Sequence, residues 1–123
     1  MTVYTQIDEN VADEIVQKIN HNNAIVDIFA QHELLKIGNR LFKDLSLIKE
    51  NLRRIVMVNW NNENVLQREN VIRIPAYGGP GAPDDVLQRL AVLLDAEMTA
   101  ADRPEDLREL CLRINMVMEA IAQ

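Results

Sequence analysis

Residues 34–58 read LLKIGNRLFKDLSLIKENLRRIVMV, and the reading of this stretch decides the fold expected for the rest of the chain. Leu34, Ile37, Leu41, Leu45, Ile48, Leu52 and Ile55 recur at steps of three or four. That spacing keeps side chains on one helix face. Lys36, Asn39, Arg40, Lys43, Asp44, Lys49, Glu50, Arg53 and Arg54 lie between them, so one side asks for burial and the other for water. At about 1.5 Å per residue such a helix is roughly 37 Å long, enough to span a domain of this size. Gly38 falls inside it at about 1 kcal/mol relative to Ala, which a close helix contact or a bend would justify.

Working outward toward the N-terminus, Ala24–Ala30 is apolar enough to be helical, and Ile7, Val11, Ile15 and Ile19 advance by four. The acids that follow Asp8 suit a helix start, so a first helix is expected from Asp8 to about Ile19. Asn20, His21, Asn22 and Asn23 admit two readings. Either they form a turn, or the helix continues and Asn22 sits on the seam of a coiled coil with Ile15, Ile19, Val26 and Phe29. Thr2 to Ile7 could add an edge strand.

Working outward toward the C-terminus, Ile55–Val58 and Val71–Ile74 are β-prone runs on either side of Asn59-Trp60-Asn61-Asn62-Glu63-Asn64, which has turn composition. A short hairpin over 56–74 is expected, or helix to Val58 followed by an extended loop. Ala76–Pro83 is a Gly/Pro loop that denies the backbone a regular ladder. Beyond it, Pro83, Asp84 and Asp85 fit the start of a helix that buries Leu87, Leu90, Leu94 and Met98 and stops near Thr99. Asp102 and Glu105 have capping-box spacing with Pro104 inside the start, and Leu107, Leu110, Cys111, Ile114, Val117, Met118 and Ile121 form the next stripe. The expected fold class is therefore mainly α. It is a helical bundle with one long central helix, a short β-hairpin or extended loop at 56–74, and a C-terminal antiparallel helical hairpin. Its parts are a long-helix region over 1–75, the loop over 76–83 and the hairpin over 84–123, packed as one domain.

The chain has 123 residues and a formal net charge of −6. About half of it is apolar, ordinary for a folded protein and unlike a disordered one. Its charge is patterned: −5 over residues 1–33 (six acids, one base), +4 over 34–75 (four acids, eight bases) and −5 over 76–123 (nine acids, four bases). Segments packed side by side with complementary charge explain this better than a nucleic-acid site, whose field the acidic flanks would weaken. No run approaches the roughly 20 apolar residues of a membrane helix, and the acidic N-terminal stretch does not read as a secretion signal.

Chemistry-bearing groups are sparse. His21, His32 and Cys111 lack metal-ligand spacing, and no Glu-x-x-His pair occurs. Ser46 has no evident His partner, and Cys111 lies on an apolar stripe as a lone, buried thiol. Gly78-Gly79-Pro80-Gly81 lacks the lysine and hydroxyl of a P-loop, and Asp84 and Asp85 would repel a phosphate there. Trp60 is the best single anchor for an interface, with Arg53 and Arg54 beside it to grip an acidic partner.

These observations lead to an expectation of no enzyme activity and no cofactor or metal. The chain reads as a helical assembly protein, a self-associating structural subunit of a larger bacterial or viral assembly. Its interface would comprise Leu34, Ile37, Leu41, Leu45, Ile48, Leu52, Ile55, Trp60, Arg53 and Arg54. The alternative is a small acidic regulator or chaperone that masks a basic surface on a protein partner. A third class, an enzyme or small-ligand binder, would use the Gly/Pro loop and nearby arginines. A homo-oligomer or protein partner, no membrane and no nucleic acid are expected. The location follows as cytoplasmic, or within a virion or other large assembly.

Overall fold

Gly38 takes a φ of +62°, in the left-handed region that favours glycine, and turns the chain back on itself. The computed structural model describes residues 2–6, 8–20, 27–75, 80–81 and 85–122. Within them, Leu35–Ile37 (β3) pairs antiparallel with Arg40–Phe42 (β4) across Gly38-Asn39. The expected long central helix over 34–58 is thus overturned. Its place is taken by this hairpin, by 3₁₀ turns at Leu45–Leu47 and Leu52–Arg54, and by a strand at Met57–Asn59 (β5). The apolar residues met at steps of three and four are spread over separate short elements and the bends between them. Asn51 Oδ1 accepts from the Arg53 N–H at 3.0 Å, capping a single turn rather than the middle of a helix.

The chain divides into two compact units, Met1–Asp44 and Leu45–Gln123. In the first, Thr2–Tyr4 (β1) runs parallel to Asp27–Phe29 (β2), where a helical Ala24–Ala30 was expected. The Thr5 N–H extends that ladder to the Phe29 carbonyl at 3.0 Å, and the Tyr4 and Phe29 rings meet at 5.0 Å between centroids. Glu9–Ile19 (α1) begins at Asp8, whose Oδ1 accepts from the Asn10 N–H at 2.9 Å. Its Val11 and Ile15 are exposed and Ala12 is buried, so the apolar stripe read from spacing is not the buried side. The helix ends at Ile19 with Asn20 as its C-cap. It does not run on to Phe29 as a coiled coil would require. The choice of turn at His21–Asn23, and most of the Gly/Pro loop (76–79 and 82–84), lie outside the described residues.

In the second unit β5 pairs with Val71–Arg73 (β6), and the two strands run parallel. A hairpin over 56–74 is therefore excluded, because a hairpin makes its strands antiparallel. The connection instead crosses back through a 3₁₀ turn at Arg68–Asn70. Val86–Thr99 (α2) and Leu107–Ala122 (α3) follow. Ile72, fully enclosed at 0% exposure, packs with Leu90 of α2 and with Leu110, Cys111 and Ile114 of α3. Val56, Ile74, Leu94, Leu107 and Met118 close round this core. The architecture is a mixture of helices and small sheets, not a helical bundle.

Two asparagines hold the parallel pair in position. Asn70, 1% exposed, donates through Nδ2 to the Leu52 carbonyl at 2.6 Å and the Ile55 carbonyl at 2.9 Å, fixing the turn before β5 to the turn before β6. Asn115 on α3 meets the outer edge of β6. Its Oδ1 accepts from the Arg73 N–H and its Nδ2 donates to the Val71 carbonyl, both at 2.8 Å. Asn70→Ala should destabilise the chain by about 3 kcal/mol, since the Ile55 carbonyl loses this donor and the Leu52 carbonyl keeps only the longer bond from the Ile55 N–H, and Asn115→Ala by about 1 kcal/mol, at its more exposed site. Urea midpoints of the two variants test that order.

Candidate active site

Parallel strands bring their carboxyl ends to one side of the sheet, and ligands in open α/β sheets bind outside those ends. Here that side is formed by Asn59 at the end of β5 and Arg73 at the end of β6, which are register partners. The Ile74 N–H donates to the Asn59 carbonyl at 2.9 Å, carrying the ladder one step further.

The loop that leaves β5 is built on amides. Asn59 is buried at 8% exposure, and its Nδ2 donates to the Asn61 carbonyl at 2.9 Å and to Asn64 Oδ1 at 3.0 Å. Asn61 Oδ1 accepts from the Glu63 N–H at 3.1 Å. Between them Trp60 stands 60% exposed. Beside the end of β6 a cleft of about 240 Å³ is lined by Ile74, Pro75, Asn115 and Met118, with the Arg73–Glu119 ion pair at its rim.

Two titratable groups elsewhere are tuned by their surroundings. Lys43, half-buried just after β4 in the first unit, has its pKa lowered from 10.5 by desolvation. In the second unit Arg108 hydrogen-bonds Asp106 and holds its carboxyl down at about 2. That pair follows from the Asp106 cap on the Arg108 N–H and from the guanidinium folding back onto the same carboxylate.

Hard divalent cations take carboxylate and other oxygen ligands. Among the described residues no group of three or more His, Cys, Asp or Glu side chains is placed to hold one. In the loop over 59–64 Glu63 is the single carboxylate, and the oxygens of Asn61 and Asn64 already accept bonds from within the loop. The described residues do not fit a divalent-cation centre.

The residues expected at an interface are dispersed. Leu34, Leu45 and Ile55 are buried; Leu41, Ile48 and Leu52 are half-buried; Ile37 is 53% exposed on the β3–β4 hairpin. Arg53 and Arg54 are exposed on the turn before β5. Trp60 lies in the loop after β5, so of this set it is the residue within the candidate site. Lys43 and the asparagines at 59, 61 and 64 were passed over, the first as part of a helix's polar side and the others as turn composition. A sequence signal for the true local fold was present. Gly38-Asn39 between Leu35-Lys36-Ile37 and Arg40-Leu41-Phe42 is a two-residue hairpin connection.

A family model described as NLI interacting factor-like phosphatase matches residues 1–108. The chain belongs to that family. No curated protein matches it. Membership in the NLI interacting factor-like phosphatase family overturns the expectation of a non-catalytic, self-associating structural subunit. With it go the acidic-regulator alternative, the statement that the chain is no enzyme, and the descriptions as helical bundle and coiled coil. The absence of familiar nucleophile and metal spacings misled that reading. Among the described residues no helix is long and apolar enough to cross a membrane.

Cys111 is not placed to act as a nucleophile. It is 1% exposed in the core, and burial pushes its thiol up to about 11. Thiolate is the reactive form, so a thiol reagent at neutral pH should modify Cys111 at the rate of unfolding and not faster. Folded protein holds this proton where unfolded chain has released it, so stability should fall as pH rises from 9.0 toward about 11. Denaturation midpoints across that range check the sign.

Proposed function

We propose that the chain acts as a phosphatase domain, releasing phosphate from a phosphomonoester received at the carboxyl ends of β5 and β6. The observation that carries this reading is the family match over residues 1–108, which takes in all six strands described here and α1 and α2. Catalysis of phosphoryl transfer rests on positioning and on stabilising charge over the equatorial oxygens, with little covalent work for the protein. A polar loop at the ends of a parallel pair suits the first task. A cation at the same strand ends suits the second, and Arg73, the register partner of Asn59, is placed there by the parallel pair.

The test is phosphate release from p-nitrophenyl phosphate and from phosphoserine, phosphothreonine and phosphotyrosine peptides by the full chain. Arg73→Met should lower kcat/KM by about 10²-fold. Unfolded Lys43 binds its proton more tightly than folded Lys43, so that residue's contribution to stability should grow as pH climbs toward 10.5, which denaturation midpoints of the parent and Lys43→Met across that range check. A folded chain that releases no phosphate from any of these esters would end the proposal.

A further inference from the structure

The cleft beside the carboxyl end of β6 lies between the chain that leaves the strand and the second half of α3. Arg73, Ile74 and Pro75 line it from the strand side, and Asn115, Met118 and Glu119 from the helix. All of them belong to the second unit. Its volume is about 240 Å³. An apolar cavity of about 150 Å³ accepts a benzene ring, so the cleft has room for one ring and its substituent.

The lining is sorted by chemistry. Ile74 and Met118 pack against the core around Ile72, and Pro75 adds a third apolar wall. Asn115 is engaged at both ends of its amide, Oδ1 by the Arg73 N–H and Nδ2 by the Val71 carbonyl. A polar backbone laid on these walls would lose water without gaining partners, whereas an aromatic ring has no such groups to desolvate. At the rim the Arg73 guanidinium meets the Glu119 carboxylate. Their side chains are 43% and 61% exposed, and an ion pair so exposed is weak. A phosphomonoester carries nearly twice the charge of a carboxylate and one more acceptor oxygen, so it competes well for the same guanidinium.

We propose that this cleft gives the site its substrate class, aryl phosphomonoesters. The ring sits against Ile74, Pro75 and Met118, and the phosphoryl group takes the place of Glu119 on Arg73. The inference rests on the phosphatase reading for the identity of the anion and goes beyond it in choosing aryl over alkyl esters. In an aryl ester the phosphoryl oxygen is bonded directly to the ring, which matches a cation standing at the rim of an apolar cleft. In a serine ester the polar backbone begins two bonds from that oxygen, where these walls offer it nothing.

The probe is phenyl phosphate, titrated into full chain labelled at its methionine methyl groups and followed by NMR. A ring seated in the cleft should move the Met118 methyl resonance upfield and saturably, and leave that of Met116, which is exposed and outside the lining, in place. Phenyl phosphate should bind about tenfold more tightly than inorganic phosphate, the scale of a partly buried ring. Glu119→Gln removes the competing carboxylate and should tighten phenyl phosphate about threefold. The parent should hydrolyse a phosphotyrosine peptide with kcat/KM about tenfold above that for a phosphoserine peptide of the same flanking sequence. Should the variant fold poorly, the parent measurements decide by themselves.

Equal kcat/KM for the two peptides, or a Glu119→Gln chain that binds phenyl phosphate no more tightly than the parent, would overturn the inference. So would hydrolysis of esters by a parent whose Met118 methyl stays still, and that result would leave the phosphatase reading intact. Saturable upfield shifts in a chain that hydrolyses no ester would instead uphold the cleft as an aryl phosphate site and reject the phosphatase reading.

Discussion

Ile72 has no solvent exposure, and its enclosure by Leu90, Leu110, Cys111 and Ile114 is the contact on which the second unit depends. A single buried isoleucine is worth about 2 kcal/mol in transfer free energy. Its position matters more than that sum. Because Ile72 is the middle residue of β6, pinning it pins Val71 and Arg73 on either side and, through the parallel register, Met57, Val58 and Asn59 of β5. The hydrophobic contact thereby sets where β5 ends, and where β5 ends sets where the amide loop begins. Asn70 and Asn115 then remove the remaining freedom, one tying the strand starts together and the other holding β6 to α3.

The helices were the legible part of the sequence. Apolar residues at steps of three and four, with Asp8 before one run and Pro104 before another, mark segments that are helical as Glu9–Ile19, Val86–Thr99 and Leu107–Ala122. The same spacing misleads over 34–58. Seven apolar residues satisfy a helix template there, yet Leu34 is buried just before β3, Leu45 in the 3₁₀ turn at Leu45–Leu47 and Ile55 just after the one at Leu52–Arg54. Three-residue strands are too brief to show an alternation of their own, and Gly38-Asn39 was the local signal that outweighed the template. Parallel pairing of β5 with β6 was beyond reach, since the direction of a strand depends on the path of the connection and not on its composition.

The candidate site was legible in even smaller measure. Trp60 drew notice because exposing an indole is unfavourable, and it does stand in the loop that leaves β5. The asparagines around it read as turn formers, which they are. Which end of each amide faces inward is decided by the Glu63 N–H and the Asn61 carbonyl in three dimensions. Lys43 illustrates the same limit. A lysine's desolvation is made by folded neighbours, and no pattern of residues along the chain records it.

Asn115 has one more consequence. Hydrogen-bonding groups along the rim of a sheet invite another polypeptide to zip on, a common route to unwanted fibrous association. At β6 a helix side chain stands where the next strand's backbone would stand, answering the Arg73 amide and the Val71 carbonyl at once. One carboxamide thus fences that rim against intruding chains, a protection that a purely apolar helix face, however well packed, would not provide.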